Sequence, residues 1–187
     1  MNKVYKRVAA WNAARYDREF NTELTCNLLR EEHQEFFDAA TPADQLDALC
    51  DIVYLAMGGI WKMNLVEDGD DTLSAKAAAH LLLQTHTFDP IMFISATIDT
   101  IQYDPDVSQS CMLALVIEFA MVQMYGMGLK HEQAIQALNI VCDANDTKSV
   151  AKVASDVKAN LDKGPNFVPP EVKLAELLKE ISDATYH

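Results

Sequence analysis

Residues 30 to 59, "REEHQEFFDAATPADQLDALCDIVYLAMGG", carry three glutamates in five positions, Glu31, Glu32 and Glu35, and then two aspartates four apart in an apolar run, Asp47 and Asp51. On a helix, residues three and four apart share a face. Leu24, Leu28, Glu31 and Glu35 then form one stripe, and Leu28, Glu32, Glu35 and Ala39 its neighbour, so the glutamates are expected to extend an apolar stripe. In the following segment Leu46, Leu49, Val53 and Ala56 make the core stripe, while Asp51 has Asp47, Ala48, Tyr54 and Leu55 as helical neighbours. A break at Thr41-Pro42 would fold the two helices back to back and set Glu32 and Glu35 opposite Asp47 and Asp51. Carboxylates crowded in this way repel, and burial raises their pKa values unless a positive charge intervenes. Oxygen ligands with no His or Cys at ligand spacing suit Mg²⁺, with Mn²⁺ as a substitute, over Zn²⁺. An E-E-x-x-E run also suits a solvated helix face; what favours a metal cluster is the pair of aspartates inside an apolar pattern.

The elements that must position these acids read as helices throughout. Periodicity predicts helices at about 3 to 18, 22 to 40, 43 to 62, 72 to 86, 89 to 102, 107 to 126 and 130 to 142, then near 148 to 161 and at 170 to 184. Start signals stand at Asn21-Thr22, Thr41-Pro42, Asp71-Thr72 and Pro169-Pro170, and stop signals at Gly58-Gly59, Gly126 to Gly128 and Gly164-Pro165. No stretch reads as a strand. Short connections imply antiparallel neighbours, hence a single all-α domain over 1–187, an antiparallel helical bundle with "VEDGDD" at 66 to 71 as its clearest exposed loop. "LCDIVYLAMGG" can be laid over "VIEFAMVQMYG", matching Asp51 with Glu118 and Gly59 with Gly126, a weak sign of duplication.

A formal charge of −13 argues against a nucleic-acid polymer or an anionic membrane as partner, since both require a basic footprint. The most apolar stretch, 111 to 128, is short of the roughly 20 residues that span a bilayer and is interrupted by Glu118, so a buried bundle helix is expected. The N-terminus shows no apolar signal region, and Cys26, Cys50, Cys111 and Cys142 are scattered in apolar contexts. Both features lead to the expectation of reduced thiols in a cytoplasm.

Glu31-Glu32-x-x-Glu35 followed by "LDALCDIVYLAMG" resembles the all-α nucleoside triphosphate pyrophosphohydrolase superfamily, the MazG-like group that includes phosphoribosyl-ATP pyrophosphatase and the dimeric dUTPases. Its motif is E-x-x-E, a gap, then E-x-x-D on two antiparallel helices. Glu32 and Glu35 match the first half and Asp51 the final acid. Ala48 stands where the third acid belongs, with Asp47 one residue earlier as its substitute. Downstream, "VCDANDTK" and "DKGPNFVPP" resemble the C-terminal tail of phage-type and bacterial MazG-like proteins, which singles out Asn145, Lys148 and Lys163. The resemblance covers roughly 20 to 62 and 113 to 170. Residues 63–112 then read as a helical pair inserted into a four-helix core, or as a degenerate second half.

The resemblance implies Mg²⁺-dependent cleavage of a nucleoside triphosphate between its α and β phosphates, releasing a monophosphate and pyrophosphate. Glu32, Glu35, Asp47 and Asp51 would hold metal, Glu31 or Glu32 would activate water, and Asn145, Lys148 and Lys163 would bind substrate. It also implies a homodimer or homotetramer. The alternatives are phosphoribosyl-ATP or dUTP hydrolysis, or a catalytically inactive helical nucleotide- or metal-binding module that lost its ligand at Ala48. Trp11, Arg15, Tyr16 and Tyr54 are aromatic and basic residues that could close over a base, and His33 lies among the acids. Each of these has packing or polar filling as its ordinary role.

Overall fold

The computed structural model describes residues 1–63, 89–148 and 167–185. Among these it contains seven helices and no strand: α1 (Asn2–Arg15), α2 (Thr22–Asp38), α3 (Pro42–Lys62), α4 (Pro90–Tyr103), α5 (Gln109–Gly126), α6 (His131–Asp146) and α7 (Pro170–Thr185). The all-α expectation holds. The helices expected at 72 to 86 and 148 to 161, the loop at 66 to 71, and Lys163 lie outside the described residues.

Local chemistry starts most of these helices. Asn21 Oδ1 accepts the Leu24 amide at 2.8 Å, satisfying one of the orphan donors of α2. Thr41 and Asp44 form a reciprocal capping box at α3, with Pro42 in the first turn where no amide is needed. Asp89 and Ser108 cap α4 and α5 by side-chain acceptance from Ile91 and Cys111.

Helix α3 is the hub: it packs against α1, α2, α5, α6 and α7, while α4 closes the bundle against α2 and α5. Leu46, Leu49, Ile52, Val53 and Ala56 are fully buried, at about 1.5–3 kcal/mol for each large aliphatic side chain removed from water. Helix α5 is long and apolar enough to cross a membrane by length and composition. Here Leu113, Val116, Phe119, Ala120 and Met124 are buried in the same core as α3, as expected of a bundle helix.

Four expectations from the sequence need correction. Gly58 and Gly59 do not stop α3, which continues to Lys62. They are small because neighbours come close: a Cβ on Gly59 would lie 2.8 Å from Leu113 Cδ1, and one on Gly58 3.3 Å from Asn12 Nδ2. On α2, the core line is Cys26, Leu29 and Phe36, and Glu31 and Glu35 are exposed, because α4 as well as α3 packs on this helix and turns its buried face away from the expected stripe. Helix α6 runs to Asp146, a turn beyond the expected 142, because the polar "DAND" end is held by another helix. The proposed overlay of α3 on α5 pairs unlike places: Gly59 is packed tightly, whereas a Cβ on Gly126 would meet nothing within 4 Å.

Candidate functional site

A pocket of about 160 Å³ opens where α1, α2, α3 and the end of α6 meet. Glu32 enters it from α2 and Asp51 from α3, Asn145 and Lys148 come from the end of α6, and Trp11, Tyr16 and Tyr54 supply aromatic wall. Lys62 and the small residues Gly58 and Gly59 complete the α3 side. Acids 19 residues apart in sequence, and amide and amine groups nearly 100 residues further on, thus share one cavity.

The α6 end is held in place by α1. The last carbonyls of a helix have no partner within it. Trp11 Nε1 donates to Asn145 O at 2.9 Å, and Arg15, which is buried, donates to Lys148 O at 3.0 Å and to Trp11 O at 3.2 Å. The Arg15 guanidinium also lies 4.2 Å over the Trp11 ring, and Trp11 meets Tyr54 edge-on at 5.5 Å. One turn earlier, Arg7 bridges Asp143 and Asp146 at 2.7 Å each and reaches Asn139 Oδ1 at 3.1 Å. Asn145 itself is buried, only 6% exposed.

The carboxylates carry an unbalanced field. Burial, then the charge of Asp51, then that of Glu171, pushes the Asp47 carboxyl up from 3.8 to about 8, with Glu35 adding to the rise and Lys148 opposing it. Burial likewise holds the Tyr54 phenol and the Cys50 thiol above their ordinary values. All four cysteines are free thiols. Burial lowers the Lys62 ammonium instead, as it must for a cation.

The sequence-predicted residues divide by place. Glu32, Asp51, Asn145 and Lys148 line the pocket together, and Asp47 lies within electrostatic reach of Asp51, Glu35 and Lys148. Glu31 and Glu35 line a separate, shallow outer depression with Asn27, Arg30 and Gln34. His33 is engaged elsewhere: its Nε2 meets Ile91 O at 2.9 Å and its ring stands edge-on to Phe37. Trp11, Tyr16 and Tyr54, weighed as packing, are pocket walls as well. Four pocket or near-pocket residues escaped the sequence reading: Asn12, Thr25, Lys62 and Glu171. Lys62 had a signal, since Asp51, Tyr54, Leu55, Gly58 and Lys62 follow one helical stripe. Glu171 had none, because only the packing of α7 on α3 brings it toward Asp47.

Whether these residues suit a divalent cation can be judged from their chemistry. Among the described residues no three His, Cys, Asp or Glu side chains already converge at ligand spacing. The available donors are nonetheless carboxylate oxygens, and Asp47 Oδ1 and Glu171 Oε2 are buried with no hydrogen-bond partner among the described residues. Buried oxygens left without donors in a surplus of negative charge fit a hard cation.

No curated protein and no solved structure matches the chain. The family model described as phosphoribosyl-ATP pyrophosphohydrolase matches residues 4–78, a span that holds Glu32, Asp47, Asp51 and Lys62 but not Asn145 or Lys148. That family implies a pyrophosphohydrolase whose members typically depend on a metal. Over residues 4–78, less than half of the chain, the sequence is thus similar to this family of the all-α, MazG-like superfamily, and the all-helical fold is consistent with that likeness.

Proposed function

We propose that this pocket hydrolyses a nucleoside triphosphate, or the related phosphoribosyl-ATP, at the bond between the α and β phosphates, releasing pyrophosphate. The observation that carries the reading is the meeting of Glu32 and Asp51 with Asn145 and Lys148 in one aromatic-walled cavity. The family match favours phosphoribosyl-ATP as the first substrate to try.

Glu32 and Asp51, with Asp47 one turn before Asp51 in place of an acid at Ala48, are the residues that would hold Mg²⁺ or Mn²⁺. Ala48 itself is 4% exposed, packed in the core. When bound, such a cation neutralises phosphate oxygens and lowers the pKa of a bound water. Lys148 donates to phosphate oxygens as a point charge, and the buried Asn145 amide fixes the phosphate or ribose next to it. Trp11, Tyr16 and Tyr54 exclude water and offer flat surface to a base. Glu32, in the pocket, would take the proton of the attacking water, and Glu35, one turn on, would complete the metal ligands. Lys163 is retained as a second phosphate contact on the strength of its motif. An assembled homodimer or homotetramer in the cytoplasm is part of the same reading.

The test is product analysis on ATP, GTP, CTP, dUTP and phosphoribosyl-ATP with Mg²⁺, with Mn²⁺ and with EDTA. Metal-dependent release of pyrophosphate, and not orthophosphate, is the expected outcome. No turnover of any substrate by folded protein would replace this reading with that of an inactive helical binding module, for which the alanine at position 48 is the supporting observation.

A further inference from the structure

Lys62 is the last residue of α3, eleven positions beyond Asp51 on the same stripe, which sets it about 16 Å further along the helix axis at 1.5 Å per residue. Tyr54, Leu55 and Gly58 line the pocket between them. The pocket therefore has a cation toward each end. Lys148 opposes the carboxylate field at Asp47, and the Lys62 ammonium lies 4.6 Å from the centre of the Tyr16 ring.

Among the described residues, no carboxylate stands within ion-pair distance of Lys62. In a chain with 28 acids and 15 lysines and arginines, a half-buried ammonium whose described partner is a ring face is out of pattern. A desolvated cation without an oxygen acceptor is costly, and a ligand oxygen relieves that cost. Lysine is a donor only, so what it recognises must be an acceptor.

We propose that Lys62 is a specificity-determining residue, its ammonium donating to an acceptor oxygen at the base end of the substrate, opposite the phosphates held near Asp51. The proposal rests on the reading of this pocket as a nucleotide site. Two substrate types carry such an oxygen: a base with a ring carbonyl, as in guanine or uracil, and a nucleotide with a phosphorylated sugar attached to its base, as in phosphoribosyl-ATP. Adenine in plain ATP offers neither.

Product monophosphates separate binding from turnover, since no α–β bond remains to be cut even with metal present. AMP, GMP, dUMP and phosphoribosyl-AMP are titrated calorimetrically with Mg²⁺ into wild type, Lys62→Met and Lys62→Gln, with hydrolysis of the corresponding triphosphates measured in parallel. Lys62→Met is expected to weaken one oxygen-bearing ligand by about tenfold or more, the size of a lost charge-assisted hydrogen bond, and to leave AMP within about twofold. Lys62→Gln keeps a neutral donor and is expected to recover part of the loss, and it serves alone if the methionine variant does not fold. Selective loss for GMP and dUMP identifies a base carbonyl; selective loss for phosphoribosyl-AMP identifies the distal phosphate. Equal binding of all four ligands by wild type and both variants overturns the proposal and leaves the hydrolase reading intact. Lys62-dependent binding without hydrolysis overturns the reaction and leaves Lys62 in its role. If wild type binds none of the four, both fall.

Discussion

The indole of Trp11 donates to the carbonyl oxygen of Asn145 at 2.9 Å, so the first helix holds the end of α6 at the mouth of the pocket that Asn145 and Lys148 enter. Two residues of the pocket lining, from opposite ends of the chain, are thereby one mechanical unit. Trp11→Phe keeps much of the ring packing and removes the donor. It is expected to cost about 1 kcal/mol of stability and to raise KM severalfold while kcat stays within about twofold, read by thermal unfolding and steady-state kinetics. A kcat loss with unchanged KM would place the role of Trp11 in the chemical step.

Glu31 and Glu32 are neighbours in sequence with different surroundings, one on the outer depression and one in the pocket. Glu32→Gln and Asp51→Asn are each expected to lower turnover by about 100-fold or more, and Glu31→Gln to stay within about threefold, with circular dichroism unchanged in all three. Equal losses for Glu31→Gln and Glu32→Gln would return the catalytic role to the outer glutamate.

Asp47 gives a pH dependence whose sign follows from burial. Its carboxyl, at 3.8 when unperturbed, is raised to about 8 in the fold by burial first and then by Asp51 and Glu171. Between those values the native chain holds a proton that the unfolded chain has released, so this group's contribution is full below about pH 4 and is lost as pH rises through about 8. Without metal, Asp47→Asn is expected to be about 1–3 kcal/mol more stable than wild type at pH 8.5 and to show little difference near pH 4. Mg²⁺ is expected to raise the wild-type midpoint at pH 8.5 more than that of the variant. A variant less stable than wild type at pH 8.5 would contradict the assigned strain.

The paired glycines of α3 offer a packing test. Alanine in place of glycine inside a helix gains about 1 kcal/mol from propensity. At Gly59 the new Cβ would press on Leu113 Cδ1 at 2.8 Å and Phe20 Cε2 at 3.2 Å, and Leu113 is fully buried, so overpacking of about 1–3 kcal/mol is expected to win. At Gly58 the nearest atom, Asn12 Nδ2 at 3.3 Å, has only a few tenths of an ångström to give, so Gly58→Ala is expected within about 1 kcal/mol of wild type. Chemical denaturation of the two variants compares them directly.

Much of this architecture is legible along the chain because its signals are local. Asn21, Thr41 with Asp44, and Pro170 mark helix starts within four residues of themselves, and the stripe Leu46, Leu49, Val53 and Ala56 needs only the helical period to be recognised as core. The spacing of Glu32 and Asp51 on two helices joined by a capped break likewise follows from residues 30 to 59 alone. What the chain order leaves open is set by which helices pack on which side. Helix α4, pressing on α2, turns Glu31 outward and leaves Glu32 at the pocket. The packing of α7 on α3 brings Glu171 toward Asp47, and α1, through Arg7, Trp11 and Arg15, holds the end of α6, which runs to Asp146. A periodic pattern names the stripe but not the neighbour that covers it, and at this pocket the neighbours are separated by up to about a hundred and thirty residues of chain.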